Sequence, residues 1–93
     1  MQRVKVMVDG RVQGVGYRYF VHQQANHHQI NGYVKNLPGG AVEIDAEGEP
    51  EKLNRFLNIC SSGPAMARID MFHRQEVVPY GYTRFRILHN EDF

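Results

Sequence analysis

"YVKNLPGGAVEIDAE", residues 33–47, reads as two strands folded about a tight turn. From Ala41 onward apolar and acidic residues alternate. Val42, Ile44 and Ala46 fall on one side and Glu43, Asp45 and Glu47 on the other, which is the period of a strand with one buried face. The acidic row is expected to face water. The turn is "PGG" at 38–40, and in the segment before it Val34 and Asn36 share one face while Tyr33, Lys35 and Leu37 share the other. Together they predict a β-hairpin.

Upstream, Asn31-Gly32 marks a break, and before it Tyr17 to His28 carries Phe20, Val21, Ala25 and His28 on roughly one side of a helix. Val4, Val6 and Val8 alternate with Lys5, Met7 and Asp9 as an N-terminal strand that Gly10 should close. Downstream, Pro50 opens a second helix whose Leu53, Phe56, Leu57 and Cys60 repeat at helical spacing, and Gly63-Pro64 stops it. "ARIDMFHRQEV" (67–77) is a fourth strand with Ile69, Met71 and His73 in one phase and Asp70 and Phe72 in the other; Phe85 and Ile87 mark a short fifth. The order β-α-β-β-α-β plus a C-terminal strand predicts an α+β, ferredoxin-like split βαβ sandwich, with two helices on one face of an antiparallel sheet.

The chain has 93 residues, a length that closes one modest core, so residues 1–93 are expected to form a single domain. Eleven basic against ten acidic residues leave a net charge of +1, too little for general attraction to nucleic acid or membrane, so recognition must be local. Cys60 is the only cysteine and cannot form an internal disulfide, which points to a reducing cytoplasm. It lies on the apolar stripe of the second helix and reads as a small core hydrophobe rather than a nucleophile. No apolar run approaches the roughly 20 residues that span a bilayer. The N-terminal "MQRVKVMVDG" alternates where a signal peptide would be continuously apolar, so a soluble, unprocessed monomer is expected.

The first βα connection carries "RVQGVGYRYF", residues 11–20. A right-handed crossover through the first helix makes the strands on either side of it parallel, so both end at one edge of the sheet. That brings the loop at 10–16 beside Asn36, near the helix N-terminus. Gly14 and Gly16 permit left-handed backbone angles, so successive amides can curl into a nest at the positive helix end. Arg18 adds a planar fork suited to two oxygens of a phosphate or carboxylate. The competing reading is an ordinary glycine turn with a solvated arginine. The segment lacks the Lys-Ser or Lys-Thr of a Walker loop and the third glycine of a dinucleotide fingerprint, which disfavours nucleotide hydrolysis.

At these residues the sequence resembles the acylphosphatase family, through "GRVQGVGYRYF" (10–20), "GYVKNLPGGAVEIDAEG" (32–48) and "GPAMARID" (63–70). The match runs from about residue 5 to 88. The resemblance implies that Arg18 binds the substrate phosphate and that backbone amides of Gln13, Gly14, Val15, Gly16, Tyr17 and Arg18 cradle it. Asn36 would orient the attacking water. It implies hydrolysis of acyl phosphates such as acetyl phosphate, carbamoyl phosphate or 1,3-bisphosphoglycerate, with inorganic phosphate as product and inhibitor and no metal or cofactor. The chemistry tolerates so spare a site, because the departing carboxylate has a conjugate acid of pKa roughly 4 and needs no general acid at neutral pH. The sequence departs from the family at His28-Gln29, where many members have "LG", and in "EVVPYGYTRF" before the last strand.

The histidines at 22, 27, 28, 73 and 89 are scattered without metal-ligand spacing and are expected at the solvated surface. Tyr17, Tyr19 and Phe20 could stack on bases, but a helix start more often buries one of them. An RNA-binding module of the same strand order is the rival class, along with a non-catalytic phosphate-sensing domain. Three carboxylates and no aromatic on the outer side of "AVEIDAE" speak against RNA.

Overall fold

Val4, Val6 and Val8 are buried along β1 (Gln2–Arg11), as their alternation requires. The computed structural model describes residues 1–89, and the chain continues through α1 (Tyr17–His27), β2 (Asn31–Asn36), β3 (Val42–Gly48), α2 (Pro50–Ser62), β4 (Arg68–Val77) and β5 (Phe85–Leu88). The sheet order is β4-β1-β3-β2-β5. β1 and β2 both pair antiparallel with β3, so they run parallel to each other, as the crossover argument demands. β5 joins β2 in parallel, making the sheet mixed rather than purely antiparallel.

Tyr17, Val21 and Ala25 of α1 and Leu53, Phe56, Leu57 and Cys60 of α2 complete the core over Val6, Val8, Val34 and Ile44. Phe20 and His28, expected on the buried side of α1, are only half-buried; Tyr17 takes the inward position and donates its hydroxyl to the Cys60 carbonyl at 2.8 Å. Among the described residues no helix is long and apolar enough to cross a membrane.

Three local expectations are corrected. Gly10 does not close β1. The strand runs on to Arg11 through a bulge in which Asp9 faces Met71 and Gly10 faces Ile69, leaving Asp70 as the extra residue of β4. A side chain at residue 10 would meet the Arg68 carbonyl oxygen at 2.1 Å, so the bulge requires glycine. The same insertion resets the phase of β4: Ile69 and Phe72 both pack on the core, while Met71 is 56% exposed.

The second correction concerns the end of α1. Asn31-Gly32 is not a break but the opening of β2, and the helix stops at His27. Gln29 adopts φ 59°, the left-handed conformation that usually calls for glycine after a helix, and the Ile30 amide reaches back to the Ala25 carbonyl at 2.8 Å. Ile30 is buried at once, so the strand begins without a loop.

The third correction is the acidic row. Asp45 and Glu47 are 0% and 5% exposed, and only Glu43 stands at the partly open surface that all three were expected to occupy. Residues 78–84 explain the difference, because they form a strap joining β4 at one edge of the sheet to β5 at the other. Glu47 accepts the amides of Tyr80, Gly81 and Tyr82 at 2.8–2.9 Å. Arg3 forks onto Asp45 at 2.9 and 2.8 Å and also donates to the Val78 carbonyl. The Tyr82 hydroxyl donates to Asp45 at 3.0 Å, and the Asn31 side chain donates to the Tyr82 carbonyl. Buried carboxylates persist because every one of these partners is a donor.

Candidate active site

β1 releases the chain after Arg11 and α1 takes it up at Tyr17. Val12 is buried and Val15 packs partly on the core, which pins the intervening turn at two points. Gly14 and Gly16 lie at φ 76° and 81°, angles that L side chains adopt only with strain. Nothing stands within 4 Å of where either would carry a Cβ, so backbone conformation, not space, demands glycine here, and the turn opens outward. Gly16 is the residue before the helix. No side chain caps α1 and no acidic residue occupies its first turn. The first-turn amides therefore point out without a protein carboxylate to receive them, at the end where the helix dipole is positive. Arg18 in the same turn adds a cation to a position that already disfavours one. An anion in front of the turn resolves both.

Arg18 is half-buried and donates from Nη1 to the Leu88 carbonyl at 3.2 Å. Leu88 is registered against Lys35 in the β2–β5 ladder, so the guanidinium is tethered one residue from Asn36. On the other side of Asn36, the Gln13 side chain donates to the carbonyls of Leu37 at 2.9 Å and Ala41 at 2.8 Å. Asn36 shares the face of Val34, and its Oδ1 is buried with no hydrogen-bond partner among the described residues. A cleft of about 220 Å³ lies against the turn, walled by Gly14, Gly16, Arg18, Tyr19, Ile87 and His89.

The turn from Gln13 to Arg18 is thus continuous with the helix start expected to cradle phosphate, and both chain neighbours of Asn36 are tied to its two ends. The Tyr17 side chain is turned away from this turn, its ring buried and its hydroxyl donating to the Cys60 carbonyl of α2. Two of these contacts escape sequence reading. The Gln13 side chain signals nothing until the hairpin register is known, and the Leu88 carbonyl belongs to main chain. Cys60 is fully buried, and burial pushes its thiol well above the usual range, so it is inert.

Of the histidines, His22 lies 6.1 Å from the Phe85 ring and His28 is half-buried, whereas His27, His73 and His89 are exposed. No three His, Cys, Asp or Glu side chains converge as a metal site among the described residues. The sheet face away from the helices is not an open acidic row: Tyr33 donates to Glu43 at 2.7 Å and Tyr82 of the strap to Asp45, while Tyr80 of the strap stays exposed.

Fold and turn together define a small α+β domain in which a glycine turn opens at an uncapped helix start. The acylphosphatase family model matches residues 4–87. An acylphosphatase of Thermotoga petrophila is 42% identical over 87 residues, covering 94% of this chain and 97% of that protein. One from Methanospirillum hungatei is 43% identical over 88 residues, with 94% and 97% covered. The crystal structure of acylphosphatase from Bacillus subtilis superposes with a TM-score of 0.92 at 38% identity, covering 95% of this chain and 99% of that one. The chain belongs to the acylphosphatase family, and with it to the hydrolases.

Proposed function

We propose that this member of the family hydrolyses the carboxyl–phosphate bond of acyl phosphates by positioning and charge stabilisation, with Arg18 and Asn36 as its catalytic residues. The amides of residues 13–18 and the Arg18 fork hold the phosphoryl oxygens, whose charge redistributes as the bond to the carboxylate loosens. The carboxylate departs unassisted. The observation that carries this reading is the buried Oδ1 of Asn36, without a hydrogen-bond partner among the described residues, close to the level of the arginine tether. Such an acceptor takes a hydrogen from one water molecule and thereby aims its lone pair at phosphorus. An amide cannot accept the proton, which passes to a phosphoryl oxygen.

The proposal extends to one domain, a monomer in the cytoplasm without nucleic-acid or membrane partners; the small net charge and the lone buried cysteine support it. The test is hydrolysis of an acyl phosphate beside a phosphate monoester, with chelator present, by the wild type, Arg18→Gln and Asn36→Ala. Both variants should lose on the order of 100-fold or more in kcat/KM, the scale of one removed oxyanion donor. The monoester should stay intact throughout, and inorganic phosphate should compete with the acyl phosphate. Equal rates in all three proteins would reject the assignment, and a rate that follows an enzyme group titrating near pH 7 would reject the proton route.

A further inference from the structure

We infer that the side chain of Gln13 is a positioning residue, which sets the spacing between the phosphate cradle and the water-bearing Asn36; the inference rests on the roles just proposed for those groups. Phosphate and water are held by segments far apart in sequence. The β1–β3 ladder that joins them has its last rung at Val8 and Val42, before the chain reaches the cradle. Beyond that rung the cradle turn and the hairpin turn run side by side.

Residues 37–41 close on themselves through the Leu37 amide and the Ala41 carbonyl at 2.8 Å, with Gly39 and Gly40 at φ 91° and 102°. The carbonyls of Leu37 and Ala41 stand at the mouth of this turn, and the Gln13 amide nitrogen spends one hydrogen on each. Both partners are pure acceptors, so the nitrogen end of the side chain is the only one that fits. Gln13 contributes its own backbone amide to the cradle, and Leu37 follows Asn36 directly in the chain. The clamp therefore spans the two halves of the site at their closest covalent neighbours. An in-line attack needs its water placed to a few tenths of an ångström, which neither turn can secure alone.

The experiment uses Gln13→Glu, which keeps the shape but turns acceptors on the two carbonyls, and Gln13→Met, which keeps the length and removes the donors. Each is made in the wild-type and Asn36→Ala backgrounds, with kcat, KM, inhibition by inorganic phosphate and thermal midpoint measured for all. In both variants kcat should fall about 10- to 100-fold, the cost of misplacing a reacting atom by a fraction of an ångström to an ångström. Phosphate inhibition should weaken less than about threefold, because the amides and Arg18 still bind it. Added to Asn36→Ala, either change should cost less than about threefold further, since the water it aligns is already lost.

Wild-type kcat in either folded variant overturns the inference. So does a loss that multiplies in full with that of Asn36→Ala, or a phosphate affinity that falls in step with kcat, which would place Gln13 on the cradle alone. If Gln13→Glu does not fold, Gln13→Met decides. Failure of the underlying site reading looks different: Arg18→Gln and Asn36→Ala would themselves be active, whatever Gln13 does.

Discussion

Gln29 carries a side chain where α1 needs a left-handed residue, and its φ of 59° is the one positive value outside glycine among the described residues. The Ile30 amide bonded to Ala25, with the Gln29 amide 3.4 Å from the Asn26 carbonyl, is the pattern that glycine ordinarily completes. Its exposed side chain returns only a contact with Lys52, and such surface contacts contribute little. Gln29→Gly should therefore stabilise the protein by about 0.5–1 kcal/mol, offset in part by the greater freedom of the unfolded chain. Thermal unfolding of the two proteins checks it: a midpoint unchanged or lowered contradicts the strain argument. At this scale sequence reading was uneven. Arg18 stands out by its type and its place after a glycine turn, and Asn36 only through topology and the family resemblance, whereas the side chains of Asp45 and Gln13 do not, since a carboxylate or amide on a strand or loop says nothing about which distant donor or acceptor will cover it.

The strap between β4 and β5 is the element whose path the sequence concealed. Strand alternation fixed the parity of Asp45 and Glu47 but not their exposure, because parity names a side of the sheet and not what crosses it. Burial alone would raise the Glu47 carboxyl, but the amides of Tyr82, Tyr80 and Gly81 outweigh it, with Arg3 assisting, and hold it below its ordinary 4.5. The unfolded chain then binds this proton more readily than the folded one. Stability from the contact is complete above roughly pH 4.5 and is lost as the pH falls through the lower folded value. Glu47→Gln should cost about 1–3 kcal/mol at pH 7. Urea unfolding at pH 7 and at pH 3 tests both statements: the gap between variant and wild type should narrow on acidification, and a constant gap would show that the carboxylate is not what holds the strap. The phase of β4 is hidden from the sequence for a similar reason, since a bulge at Asp70 is a property of two paired strands and leaves no mark on either alone.

For the molecule as a whole, order and type of elements were legible because each hydrophobic pattern kept its period long enough to be recognised, above all in Val42–Ala46 and Leu53–Cys60. The neighbourhood of the candidate site follows from topology: parallel β1 and β2 end together, which brings the glycine turn and Asn36 to one edge of the sheet. That arrangement ties function to global stability. Phosphate that binds the folded cradle and not the unfolded chain raises the thermal midpoint in proportion to the logarithm of its concentration above the dissociation constant. Wild type should show this rise and Arg18→Gln should lose most of it, while sulfate-free controls at equal ionic strength separate it from screening; equal shifts in both proteins would refute an arginine-dependent site.

The acceptor that steadies Arg18 is the carbonyl oxygen of Leu88, and every residue type supplies one. Replacement of that leucine by any other amino acid leaves the tether's chemistry intact, so this support is hidden from mutational scanning and from comparison of residue identities. Only a slip of the last strand along its neighbour, which moves every carbonyl to a new address, would untie it.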